Sequence, residues 1–223
     1  MFFLHEEQIA EEHFPKNWDN AILLALQRHG RETVLSGDSP TSIRRGDPSR
    51  VTILDGDQIA ERLPWLSLMY ETVFLNAAKR LSQRQLYIAT ERQFGINANL
   101  LDGPGAHYET HRDSNPVTGL LFVNNLSSTV GGDLVFETVH GDVRLRPRKG
   151  IFIVFDARDT VHYVSPLQAP VYRLSLPMNF YESEREQFRP AGLNEYLYRT
   201  SLLSGNFAEG VGYRTDKEGE NGF

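Results

Sequence analysis

The sequence predicts a mainly β protein, a jelly roll braced on one face by N-terminal helices. Three observations predict it. From about Glu6 to Gly30, and again from Leu68 to Leu81, apolar residues recur at helical spacing. After about Tyr87 the pattern changes to short apolar runs separated by turn residues, the habit of an all-β sandwich or barrel. Finally, 223 residues with 40% hydrophobic and 23% charged side chains match the size and composition of one well-filled domain.

In chain order, Ile9, Phe14, Trp18, Ile22, Leu23 and Leu26 suggest one or two helices that stop at Gly30. Residues 32–50, rich in Ser, Gly, Pro and Arg, show neither period and predict a long loop, a feature often tied to function. Val51 to Leu54 suits a short strand, and Met69, Val73, Phe74, Ala77 and Leu81 suit a helix over 68–81. The strands that follow are expected at 94–101, 119–126, 134–137, 143–146, 151–156, 162–165 and 171–181, with a hairpin turn at His140-Gly141-Asp142. This divides a single domain into mainly helical support (1–90), a jelly-roll core (91–185) and a C-terminal extension (186–223), whose last residues from Arg214 look frayed.

Composition narrows the chemistry. Lys and Arg total 23 against 29 Asp and Glu, a net charge of −6, which argues against a nucleic-acid partner. The absence of cysteine excludes disulfides, thiolate metal sites and cysteine nucleophiles, so any metal must sit on His and carboxylate. The opening MFFLHEEQIAEEHF turns acidic too soon for a signal peptide and no run is long enough to span a bilayer, so the expectation is a cytoplasmic protein without a membrane partner.

Of seven histidines, two stand where chemistry would choose them. His111 and Asp113 bracket Arg112, and residues two apart on an extended strand share a face, so imidazole and carboxylate can bind one ion. His162 follows the apolar strand IFIVFD and could join them from a neighbouring strand. Two histidines and one carboxylate form the facial triad of non-haem Fe(II) oxygenases, which leaves three coordination positions open. Spacing alone leaves structural histidines as the alternative. A zinc site of His107 and His111 on a helix fails, because Gly103-Pro104-Gly105 and Pro116 oppose a helix and Glu109 occupies neither zincin position.

The stretch NANLLDGPGAHYETHRDSNPVTGLLFVNNLSSTVGGDLVFETV, with FIVFDARDTVHYVSPLQAPVYRLSLPMNF after it, resembles the prolyl-hydroxylase-like family of 2-oxoglutarate and Fe(II)-dependent oxygenases over about residues 95–181. The resemblance is carried by Tyr108, the His-Arg-Asp triplet, Asn115-Pro116, Gly131-Gly132-Asp133-Leu134, the apolar strand before His162 and the basic residue on the strand after it. It implies a double-stranded β-helix (cupin-like jelly roll) and a hydroxylase using Fe(II), O2 and 2-oxoglutarate as co-substrate. His111, Asp113 and His162 would be the iron ligands. Arg173, with Ser175 two residues on, would hold the distal carboxylate of 2-oxoglutarate, and Tyr108 would line the pocket or simply pack. Asp113 favours hydroxylation over halogenation, which needs a small residue there.

The chain departs from animal prolyl hydroxylases in having Leu101 and Phe122 where those enzymes use tyrosines, which weakens the case for a prolyl substrate. The expected substrate is a small molecule, an amino acid or natural-product intermediate. Arg44, Arg45 and Arg50 of the long loop, with Arg112 and Arg158, are candidate cations for its carboxylate, the alternative being that they are solvated. A peptidyl hydroxylase and a non-catalytic jelly-roll binding module are the rival functions. The sequence does not speak to oligomeric state.

Overall fold

In chain order the elements are β1 (Leu4–Gln8), a 3-10 turn (Glu11–His13), α1 (Trp18–His29), β2 (Arg31–Leu35), β3 (Ser49–Leu54), α2 (Gly56–Arg62) and α3 (Pro64–Met69). A π-helical turn (Tyr70–Phe74), α4 (Leu75–Ser82), β4 (Tyr87–Ile88), a 3-10 turn (Arg92–Phe94), β5 (Ala98–Asp102), β6 (Tyr108–His111) and β7 (Val117–Phe122) come next. β8 (Leu134–Thr138), β9 (Gly141–Leu145), β10 (Ile151–Asp156), β11 (Val161–Val164), β12 (Tyr172–Tyr181) and α5 (Leu193–Tyr198) complete the chain as described by this computed structural model, which covers residues 3–198. The frayed end expected from Arg214 lies outside the described residues.

Two antiparallel sheets face each other. The larger has the order β1-β10-β7-β12-β5-β3-β2, with β4 added to β12, and the smaller is β6-β11-β8-β9. Strand alternation sorts the side chains of the larger sheet into two layers. Phe152 and Val154 of β10, Val117 and Leu121 of β7 and Leu174, Leu176, Met178 and Phe180 of β12 pack against α1 to α4. Ile151, Ile153 and Phe155, with Leu120 and Phe122, point the other way and meet Leu134 and Phe136 of the smaller sheet. Gly119 is small because β7 passes under two rings: a Cβ there would lie 2.6 Å from Phe152 and 2.8 Å from Phe180.

The helical expectation for residues 6–30 is half corrected. Residues 18–29 form α1, which stops at Gly30, but residues 4–8 form an edge strand on β10, with Leu4 opposite Phe155 and Gln8 opposite Ile151. Pairing with β10 supplies the backbone partners a local helix would otherwise provide, and the exposed polar His5, Glu6 and Gln8 suit an edge that must not recruit another strand. The predicted loop 32–50 shortens to 36–48, because Arg31 to Leu35 pairs with Ser49 to Ile53 as a hairpin. The helix predicted over 68–81 begins earlier, at Pro64 in the first turn, where a missing N–H costs nothing, and is interrupted by the π turn. α2 is an addition; Asp55 and Gln58 form a capping box at its start. The hairpin after β8 turns on Val139-His140, and Gly141, at φ 109°, opens β9. Among the described residues no helix is long and apolar enough to cross a membrane.

Candidate metal and co-substrate site

β6 and β11 are hydrogen-bonded neighbours, and their register sets His111 directly opposite His162. The two imidazoles are therefore cross-strand partners, with ring centroids 4.3 Å apart. Asp113 lies just beyond β6, where its backbone N–H donates to the Ala157 carbonyl (3.1 Å) and that of Arg112 to the Thr41 carbonyl (3.1 Å). This turns the carboxylate toward the rings: Oδ1 stands 3.3 Å from His111 Nε2 and 3.7 Å from His162 Nε2. One donor atom from each of the three residues lies within 4.8 Å of the others.

The tautomers follow from the hydrogen bonds. Each Nδ1 faces a carbonyl, His111 that of Glu109 (2.7 Å) and His162 that of Thr160 (3.0 Å), so each Nδ1 must donate, which leaves each Nε2 turned toward the cluster. The second carboxylate oxygen of Asp113 accepts from the Thr118 hydroxyl (2.5 Å), which is itself held by the Asn115 amide (2.8 Å). Burial pushes the Asp113 carboxyl up, but the two imidazoles and Thr118 outweigh it and hold the group at about 2. Burial and the neighbouring His111 bring His162 down to about 4, whereas for His111 the Asp113 hydrogen bond and charge overcome burial and raise it. An ionised carboxylate beside a neutral imidazole is the donor set that suits a divalent transition metal.

Arg173, 2% exposed, projects into the same space from β12. Its Nε donates to the Gly132 carbonyl (3.0 Å) and its Nη1 to Ser175 Oγ (2.7 Å), while Nη2 is buried without a partner. Burial lowers its pKa to about 10, so it remains a cation near neutrality. Leaving such a donor unsatisfied costs about 1–3 kcal/mol, a cost that an anion bound beside it would relieve. Gly132 makes the geometry possible: it sits at φ 76°, and a side chain there would strike Leu126 and Leu167. Phe122 lies against the guanidinium, 5.5 Å from its carbon to the ring centre.

One cavity of about 120 Å³ joins these parts. His111, Asp113, His162, Arg173 and Ser175 all line it, with Leu101, Leu120, Leu134 and Val164 as apolar walls. Tyr108 lines it too, its ring 5.1 Å from that of His111. The five candidate arginines are not brought there. Arg45, Arg112 and Arg158 are exposed, Arg44 pairs with Glu137 and Arg50 with Glu32 (2.6 Å), and none lines the cavity. The loop 36–48 instead approaches it through Ser39 and Thr41, while its arginine heads stay in water, where a guanidinium loses no hydration.

Several lining residues had no signal in the local sequence. Asn97, Asn99, Asn179 and Arg189 reach the cavity only because β5, β12 and the segment before α5 converge on it. Thr118 was findable, as a polar residue on the inward phase of an apolar strand. Buried Glu109 accepts from the Gly37 N–H (2.6 Å) and the Tyr196 hydroxyl, tying β6 to the loop and to α5.

No protein-family model matches the sequence, and no curated protein matches it. Solved structures do. A 2OG-Fe(II) oxygenase family oxidoreductase from Burkholderia pseudomallei superposes with a TM-score of 0.59 at 15% identity, covering 85% of this chain and 89% of that one. The non-haem α-ketoglutarate-dependent epimerase SnoN of nogalamycin biosynthesis gives 0.60 at 13% identity, covering 96% and 91%. A Trichoplax adhaerens prolyl hydroxylase in complex with a hypoxia-inducible-factor peptide gives 0.56 at 17% identity, covering 81% and 83%. At such identities the likeness is one of architecture: this chain has the double-stranded β-helix fold that 2-oxoglutarate and Fe(II)-dependent oxygenases share.

Proposed function

We propose that this chain is a 2-oxoglutarate and Fe(II)-dependent oxygenase that hydroxylates a small molecule. The observation that carries the reading is the meeting, in one cavity, of a His-Asp-His donor set with a buried arginine that has a nitrogen to spare. The residues fit the groups they would hold. His111 Nε2, His162 Nε2 and an Asp113 oxygen would ligate the metal and leave positions open, and Arg173 with Ser175 would grip the distal carboxylate of 2-oxoglutarate. Bound there, Fe(II) with 2-oxoglutarate and O2 supplies the oxidising power to hydroxylate an unactivated C–H bond, with release of succinate and CO2. The protein's own part is orientation and dryness. Thr118 and Asn115 fix the carboxylate, the two carbonyls fix the imidazole tautomers, and Leu101, Leu120, Leu134 and Val164 keep water from the reacting centre.

Two features favour a small molecule over a peptide. The cavity is small, about 120 Å³, with Ser39 and Thr41 of the loop and Leu193 and Leu197 of α5 among its walls, and the tyrosine hydroxyls of animal prolyl hydroxylases are replaced by Leu101 and Phe122. The likeness to prolyl hydroxylases keeps a peptidyl substrate as the second reading, and a peptide array run beside a metabolite panel separates the two. The test of the first reading is anaerobic addition of Fe(II), then 2-oxoglutarate, to metal-free protein. A weak visible charge-transfer band that His162→Ala abolishes is the expected result. Absence of the band, with no metal bound, leaves the binding-module alternative in front.

A further inference from the structure

The chemistry above leaves two charged residues of the cavity lining unused, Glu109 and Arg189. Glu109 is already satisfied by Gly37 and Tyr196. Arg189 is not. Its Nε donates to Asn194 Oδ1 and its carbon sits 3.9 Å from the centre of the Phe94 ring, yet neither terminal nitrogen has a hydrogen-bond partner among the described residues, and no carboxylate of those residues lies within ion-pair distance. Most of the arginines on the outer surface behave differently: Arg80 pairs with Glu7, Arg84 with Asp156 and Glu182, and Arg148 with Glu6. Both arginines that line the cavity, Arg173 and Arg189, are tethered through Nε and keep a terminal nitrogen without a hydrogen-bond partner among the described residues.

A guanidinium stacked on an aromatic ring and tethered through Nε has lost most of its rotamer freedom before any ligand arrives, and the edge left over is the fork that takes a carboxylate through two N–H donors. A second group points to the rest of the ligand. Asn99 stands beside Ser175 in the sheet and lines the same cavity, and its Oδ1 is buried with no partner. At neutral pH 2-oxoglutarate offers acceptors only and cannot satisfy that oxygen. An N–H or O–H on another ligand can. We propose that Arg189 binds the carboxylate of the primary substrate and Asn99 a donor on the same molecule, so that the substrate is a small amino or hydroxy acid. This rests on the reading of Arg173 as the 2-oxoglutarate anchor, which leaves Arg189 as a second, separate seat for an anion.

The test is ligand-observed NMR on the full chain loaded with Zn(II) and 2-oxoglutarate, a state in which no turnover occurs. The probes are the free L-amino acids and their 2-hydroxy counterparts, each beside its own carboxamide. The inference expects a subset of the acids to bind, with the matching amides at least about tenfold weaker, as befits loss of a charge-assisted pair. Arg189→Ala weakens the acids by a similar factor and leaves the amides where they are, Arg189→Lys recovers part of the loss, and Arg45→Ala, on the exposed loop outside the cavity, changes nothing. Acids and amides that bind alike to the unaltered protein overturn the inference without recourse to any variant. So does a panel from which nothing binds while 2-oxoglutarate does. Failure of 2-oxoglutarate itself to bind overturns the oxygenase reading and this inference with it.

Discussion

The two faces of the larger sheet are built from the same strands and do opposite work. On the helix side, β5, β7 and β12 present Ala98, Val117, Leu121, Leu174, Leu176, Met178 and Phe180, all essentially inaccessible, against a dry layer of helices. One residue along each strand, the side chains turn into the cavity as Asn99, Thr118, Arg173, Ser175 and Asn179. The helix side has no polar task and can be packed for stability. The cavity side keeps unpartnered donors and acceptors, which cost stability and are useful only when something binds. A period of two thus lets one strand carry both without compromise, because neighbouring residues never share a layer.

That division can be broken from the helix side first. Phe152→Ala should cost about 3–5 kcal/mol in urea unfolding, since the ring is fully buried against Phe74 and its removal leaves a hole the sheet cannot close. Gly119→Ala, which forces a methyl against the Phe152 and Phe180 rings, should cost about 1–3 kcal/mol by the same measurement. If either variant is as stable as the parent, the helix side is not the dry support described here.

Tyr196→Phe should have a smaller effect, about 1 kcal/mol, with a signature in pH. Burial, then the hydrogen bond to Glu109 and its charge, raises the Tyr196 pKa above the ordinary 10.0. The folded state therefore holds this proton more tightly than the unfolded chain does. The contribution is fully present below pH 10 and is lost as pH rises beyond it. Thermal unfolding followed from neutral to strongly alkaline pH should show a steeper fall for the parent than for Tyr196→Phe. Parallel profiles would mean that the bond to Glu109 does not hold α5.

How much of this could be read beforehand depends on distance along the chain. The meeting of His111, Asp113 and His162 was legible because the first two are two apart and the third follows an apolar run, and the inward placement of Arg173 with Ser175 because the residues around them are so clearly core. The strands from β7 onward were legible for the same reason. The edge strand Leu4–Gln8 was not, since its partner β10 lies far along the chain and the local pattern reads as a helix. α2 was missed although Asp55 and Gln58 carry its capping signal, because only seven residues follow. Asn99 and Arg189 carried no local signal that would place them at the cavity, and the candidate cations Arg44, Arg45, Arg50, Arg112 and Arg158 do not line it. Proximity in sequence to His111 and His162 says little about which long side chain turns inward, whereas the convergence of β5, β12 and the segment before α5 decides it.

On the cavity side the smallest change in stability should accompany the largest change in function. Arg173→Met removes a buried charge with an unsatisfied donor, so the ligand-free protein should be no less stable, and up to about 1 kcal/mol more stable, in urea. The decisive measurement is calorimetric titration of 2-oxoglutarate into the anaerobic Fe(II)-loaded protein, parent beside Arg173→Met. Saturable one-to-one binding by the parent, weakened at least about a hundredfold in the variant, is the outcome predicted for a guanidinium reserved for the co-substrate. Equal affinities, or no binding by the parent, would contradict it.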